Sequence, residues 1–164
     1  MKQEQQFEIW TRDHGAILHH VANGFADGAD RQDLMQELLL AVWKSIPAFR
    51  GAAQASTYIY RVAHHAALTW KRRERNYQRR VAQSESLVAQ EGPDDSARLL
   101  EKVYTAIRQL LPPLDRSLML LSLDGLGYGE MAAIHGLTES NVGVRLSRAR
   151  QKLTHALKGT DHEL

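Results

Sequence analysis

Residues 128–146 read Tyr128-Gly129-Glu130-Met131-Ala132-Ala133-Ile134-His135-Gly136-Leu137-Thr138-Glu139-Ser140-Asn141-Val142-Gly143-Val144-Arg145-Leu146. The spacing fits a helix-turn-helix. Two helices that cross at close range need a small side chain at the crossing, and Ala132 supplies it. The sharp turn needs a left-handed residue, a conformation Gly136 takes without the steric penalty of a Cβ. Val142 plugs the space between the helices, Leu137 packs beneath the turn, and Thr138 is a natural N-cap for the second helix. On that second helix Val142, Leu146, Ala149 and Leu153 fall at i, i+4, i+7 and i+11, one buried stripe. The other side carries Asn141, Val144, Ser147, Arg148 and Gln151, a strip suited to a major groove. Arg148 can reach guanine or phosphate and Val144 a thymine methyl, while Arg145, Arg150 and Lys152 suit the backbone.

Working outward, helical periodicity dominates. Met35, Leu38, Leu39, Val42 and Ile46 line one face of a helix that Asp30 can cap and Pro47 stops. Its opposite face shows Asp33, Gln36, Glu37, Leu40 and Lys44. An earlier helix is predicted over 7–25, closed by Asp27-Gly28. After a loop at 49–55, Ser56 or Thr57 can cap a long helix to residue 80. Its buried stripe is Ile59, Val62, Ala63, Ala66 and Trp70, and its polar side carries Arg61, His64, His65, Lys71, Arg72 and Arg75. Further helices are predicted over 97–111, 114–123, 128–135 and 139–157, with Pro112-Pro113 between the first two. Between the two helical groups, residues 83–97 hold four acids, no base and Gly92-Pro93, the composition of a flexible tether. The expected architecture is all-α: one small domain over 1–80, an acidic linker over 81–97 and a second domain over 98–164.

Charge follows the same division. Residues 61–80 hold seven bases (Arg61, Lys71, Arg72, Arg73, Arg75, Arg79, Arg80) against Glu74 alone, although the whole chain of 164 residues carries only +2. A second basic cluster lies at Arg145, Arg148, Arg150, Lys152 and Lys158. Two separated basic patches suggest two places where a polyanion touches. The composition, 43% hydrophobic and 24% charged, excludes collagen-like, fibrous and wholly disordered chains. With no cysteine there is no disulfide, thiolate zinc site or cysteine nucleophile. No apolar run is long enough to span a membrane, and Met1–Gln6 lacks the apolar core of a signal peptide, so no membrane insertion and a cytoplasmic location are expected. Of the eight histidines, His64 and His65 are adjacent, as are His19 and His20, and adjacent residues on a helix project about 100° apart. No metal site, cofactor or catalytic residue is expected: His-Glu-x-x-His, a phosphate-binding glycine loop and a nucleophile elbow are all missing.

Two blocks of residues together resemble a bacterial RNA polymerase sigma factor of the sigma-70 family, in its two-domain extracytoplasmic-function (ECF) group. The first block is Asp33-Leu34-Met35-Gln36-Glu37-Leu38, Trp43, Phe49-Arg50-Gly51, Ser56-Thr57-Tyr58-Ile59-Tyr60-Arg61-Val62-Ala63 and the basic run Lys71-Arg72-Arg73, which is similar to region 2. The second runs from Leu111-Pro112 to Leu153, with Leu146-Ser147-Arg148-Ala149-Arg150 similar to region 4. The resemblance implies a dissociable subunit that binds core RNA polymerase and promoter DNA, usually held in check by an anti-sigma factor. It implies polymerase contact through Asp33, Leu34, Gln36, Glu37 and Leu40, with Leu34 and Leu40 carrying much of the energy. It implies −10 DNA contact through Arg50, Tyr58, Arg61, His64, His65, Lys71, Arg72 and Arg75, with Tyr58, Tyr60 and Trp70 as stacking surface for an unstacked base. It implies −35 contact through Ser140, Asn141, Val144, Arg145, Ser147, Arg148 and Gln151. His65 and Thr69 replace a usual asparagine and aspartate, Ser122 a common arginine, and Gly143 stands where a base often faces DNA. The competing reading is a helix-turn-helix regulator that works without polymerase.

Overall fold

The computed structural model describes the backbone of residues 2–78 and 95–161 and the side chains of 2–74 and 96–158. The predicted linker lies mostly outside these residues. Seven α-helices occur among them: α1 Gln3–Phe25, α2 Gly28–Ser45, α3 Ala55–Gln78, α4 Asp95–Leu110, α5 Pro113–Leu123, α6 Tyr128–His135 and α7 Glu139–Asp161, with a short 3₁₀ turn at Ile46–Ala48. The all-α class holds. The helix ends differ in detail from expectation. Asp27, extended at φ −134° and ψ 165°, takes the N-cap position of α2, so Asp30 sits in the first turn. Helix α3 starts at Ala55, ahead of Ser56 and Thr57, and α4 starts at Asp95, inside the predicted tether. Pro112 and Pro113 open α5, where the missing N–H groups have no intrahelical partner to lose.

In the N-terminal group, Leu34, Leu38 and Val42 of α2 face Ile59, Ala63 and Ala67 of α3, all fully or almost fully buried at spacings of four. The two alanines let the helices come close. Trp10, Ile17, Leu18, Val21 and Phe25 of α1 close the bundle. In the C-terminal group, Tyr104 and Ile107 of α4, Met131 and Ile134 of α6, and Val142, Leu146, Ala149 and Leu153 of α7 form the corresponding core.

The two groups do not stand apart. Ser117, Leu118, Met119, Leu120 and Leu121 are five consecutive buried residues of α5. A helix covered all round must lie inside the molecule, and α5 does so by packing on α1 and α3 as well as on α4 and α7. Gly24 of α1 meets Leu120, so that a Cβ on Gly24 would collide with the leucine side chain. The result is one continuous apolar core. The tether expected from the sequence leaves the relative placement of the two groups open; in the structure the second apolar face of α5 sets it.

Candidate nucleic-acid interface

The turn is built as the sequence predicts. Gly136 is left-handed at φ 64° and ψ 36°, and the Leu137 N–H donates to the Ala132 carbonyl at 3.0 Å. Val142 is fully buried and Ala132 nearly so. Thr138 caps α7: its Oγ1 accepts from the Asn141 N–H at 3.0 Å. The strip on the far side, Ser140, Asn141, Val144, Ser147, Arg148 and Gln151, is exposed. Val144 shows 47% of its surface, an apolar side chain left in water on an otherwise polar face. Arg145 is only half-exposed. It donates to Asp115 Oδ1 at 3.0 Å and to Asn141 Oδ1 at 3.2 Å, so a carboxylate of α5 holds it in place. Asp115 was missed from sequence because nothing local links it to a residue thirty positions on. Arg150 donates to Ser122 Oγ at 3.0 Å. Gly143 lies beside the Tyr128 ring, which a Cβ at that position would touch at 3.4 Å, an ordinary contact distance.

Helix α3 departs further from expectation. Arg61, His65 and Arg72 are exposed, Arg50 is exposed in the loop before it, and Lys71 is half-buried beside Glu74 at 3.4 Å. The side chain of Arg75 lies outside the described residues. His64 is the first correction: it is fully buried rather than on the polar side, because α5 covers it. Its Nδ1 lies 2.7 Å from Ser117 Oγ, which lies 2.7 Å from His135 Nε2. His65 donates from Nε2 to the Ile134 carbonyl at 2.6 Å. Tyr58 is half-buried. Its ring packs against Phe49 at 5.0 Å and Trp10 at 5.9 Å, and its hydroxyl donates to the Ser45 carbonyl at 2.8 Å. It therefore ties the loop at 49–54 to α1 and α2, with part of the ring turned into the bundle. Tyr60 and Trp70 are partly buried.

On α2, Asp33, Gln36, Glu37 and Leu40 are exposed together, with Leu40 at 45%. Leu34 is the second correction. It is 0% exposed and belongs to the core with Leu38 and Val42. Its spacing of four from Leu38 and Val42 places it on the buried stripe, with Met35 and Leu39 packed partly buried beside it.

Residues 10–77 match Sigma-70 region 2, and residues 100–153 match Sigma-70, region 4. The chain is 30% identical over 160 residues to RNA polymerase sigma factor YlaC of Bacillus subtilis (strain 168), covering 93% of this chain and 92% of that one. The chain belongs to the sigma-70 family of RNA polymerase sigma factors. It is also 30% identical over 130 residues to the ECF RNA polymerase sigma factor SigC of Mycobacterium tuberculosis (strain CDC 1551 / Oshkosh), across 78% of this chain and 70% of the relative. Its fold is similar to that of the sigma factor RpoE of Bartonella quintana, solved with the anti-sigma factor NepR: TM-score 0.67, 21% identity, 94% of this chain and 96% of that chain. CnrH, solved with the cytosolic domain of CnrY, gives 0.64 at 20% identity over 95% and 90% of the two chains. A sigma factor of this ECF group binds core RNA polymerase and directs promoter-specific initiation, and that is the function of this chain. Among the described residues, no helix of the sigma factor is long and apolar enough to cross a membrane.

Proposed function

We propose that the sigma factor divides its work between its two helical groups. The region over 1–80 holds core polymerase through Asp33, Gln36, Glu37 and Leu40 of α2. It engages the −10 element through Arg50, Arg61, His65, Lys71, Arg72 and Arg75. The region over 98–164 reads the −35 element through Ser140, Asn141, Val144, Ser147, Arg148 and Gln151, with Arg145 set against a phosphate by Asp115. The exposed strip of α7, mounted on a capped helix behind a left-handed glycine turn, carries this reading. Such a strip gives base contacts along its centre and phosphate contacts at its basic edges.

In this reading the protein does no chemistry of its own and works where the chromosome and polymerase are, in the cytoplasm. An anti-sigma factor is the expected partner, as RpoE of Bartonella quintana is solved with one. Transcription in vitro with purified core polymerase over genomic fragments tests the proposal and finds the promoter together. Transcripts that start at a common motif only when this chain is added are expected. Start sites unchanged by its addition refute it.

A further inference from the structure

Where the two helical groups meet, the contact is lined with histidine. His20 of α1 lies with Nδ1 2.6 Å from the Tyr104 hydroxyl and Nε2 3.2 Å from the Leu120 carbonyl. A carbonyl only accepts, so Nε2 carries the hydrogen and Nδ1 accepts from Tyr104. The carboxylate of Asp124 lies 3.4 Å from the same Nε2 and also accepts from Tyr60 of α3. Next along the seam come His64, Ser117 and His135, then His65 on the Ile134 carbonyl. Among the described residues no three His, Asp or Glu side chains are arranged to hold a metal ion. Promoter reading as described above uses neither His64 nor His135.

We propose that this seam is a proton-operated clasp: neutral imidazoles hold the two helical groups together over part of the α3 face, and protonation of His64 and His135 parts them. Three features of the geometry support it. Ser117 has one hydroxyl hydrogen between two ring nitrogens, so with neutral rings it donates to one histidine and accepts from the other. Protonating the accepting ring turns it into a second donor and breaks that pattern. His64 Nε2 is buried with no partner, so a charged ring would point an N–H into apolar surroundings. The histidine rings also crowd one another: His64 and His135 have centroids 6.4 Å apart, and His65 and His135 5.6 Å.

The charges around the relay act in the same direction. Burial, then His135, His20 and His65, hold His64 well below the ordinary imidazole range. Burial, then His65, pulls His135 down to about 4. The carboxylates at the seam, Asp124 and Glu130, bear on Tyr60, and Asp124 also on His20. That end of the seam gains an ion pair when His20 is charged, so the Ser117 relay is where acid opens the clasp. Because each ring takes up its proton more readily once the groups part, the open-to-closed ratio rises about tenfold per pH unit for each proton bound, from about pH 6.5 downward. The clasp itself stands on contacts within the free chain; only its consequence for DNA rests on the proposed role of α3.

The test uses the full chain, which has no native cysteine. Cysteines placed at the exposed positions Glu8 and Thr154 carry a donor and an acceptor dye. Energy transfer and far-UV circular dichroism are then followed from pH 7.5 to 4.5. Transfer is expected to be high at pH 7.5 and to fall below pH 6.5 while helix content stays constant. The double variant His64→Gln/His135→Gln keeps neutral hydrogen-bonding groups and should flatten the fall. Gly24→Gln, which wedges α1 from Leu120, should give low transfer at every pH; if it does not fold, Gly24→Ala provides the milder wedge. The proposal is overturned if wild-type transfer does not change with pH, if helix content falls in step with it, if the glutamine variant responds like wild type, or if wild type at pH 7.5 is already as open as the wedged chain. Neither polymerase nor DNA enters this readout, so failure of the promoter reading and failure of the clasp are told apart.

Discussion

Leucines 34, 38 and 40 share one helix but lie in opposite surroundings, and Leu40→Gln tests the polymerase contact proposed for the exposed one. Leu34 and Leu38 are fully buried, whereas Leu40 shows 45% of its surface beside Asp33, Gln36 and Glu37. Burying a whole leucine side chain contributes about 1.5–3 kcal/mol. Covering the exposed 45% of Leu40 against a partner helix is therefore worth about 0.7–1.4 kcal/mol, or roughly three- to tenfold in affinity. Glutamine nearly matches leucine in length and helix propensity, so α2 itself is little affected. A labelled sigma factor titrated with core polymerase, with wild type and Leu40→Gln in competition, reads the difference directly. The melting temperature of Leu40→Gln should stay within about a degree or two, since exposed substitutions change stability by less than about 0.5 kcal/mol. Leu38→Ala is the control: a cavity in the shared core costs about 2–5 kcal/mol and should destabilise the fold. Equal polymerase affinity for wild type and Leu40→Gln, with both folded, refutes the assignment of this face. A large loss of stability in Leu40→Gln would instead mean that the side chain is a core residue.

Arg148→Ala should weaken binding to duplex −35 DNA by about 1–3 kcal/mol in a gel-shift titration, with a smaller change on unrelated duplex. Asp115→Asn, which releases Arg145 from its anchor, should change the salt slope of DNA binding less than Arg145→Ala, which removes a phosphate contact outright. Gly136→Ala forces a Cβ into the left-handed region at φ 64° and should lower unfolding free energy by roughly 1–2 kcal/mol in urea. For pH, the unfolded chain takes up a proton near 6.5 while folded His135 resists until about 4. Stability is then complete above about pH 6.5 and declines as pH falls toward 4. A fall from 6.5 to about 4 equals about 3 kcal/mol in a fully enclosed group. Solvent screening at the partly exposed ring reduces it to about 1–2 kcal/mol, readable as a drop in urea midpoint.

The helix-turn-helix was legible because each requirement is local. The crossing, the turn, the plug and the cap each depend on one residue type at one offset, and Ala132, Gly136, Val142 and Thr138 supply them within a dozen residues. The helical class and the exposed strip of α7 follow from periodicity for the same reason. A stripe of period 3.6 shows which residues are apolar together, but not what covers the remaining faces. His64 and Leu34 mark that limit. Leu34 continues the stripe of Leu38 and Val42 by one more step of four, beside Met35 and Leu39, which are apolar too. His64 looked solvated because a polar residue on a polar side has no local reason to be buried.

What buried His64 is α5, and α5 is where sequence and tertiary structure part. Its run from Ser117 to Leu121 carries no period, since every face is apolar or small. Such a run says that a helix is enclosed without naming its neighbours. Gly24 and Leu120 meet across 96 positions, and Ser117 bridges His64 and His135. Those pairings exist only once α1 and α3 fold back on the C-terminal helices. Local chemistry along the chain therefore determined which elements form and which polar and apolar faces each of them carries. The long-range packing of α5 decided which of those faces stay exposed in the free sigma factor.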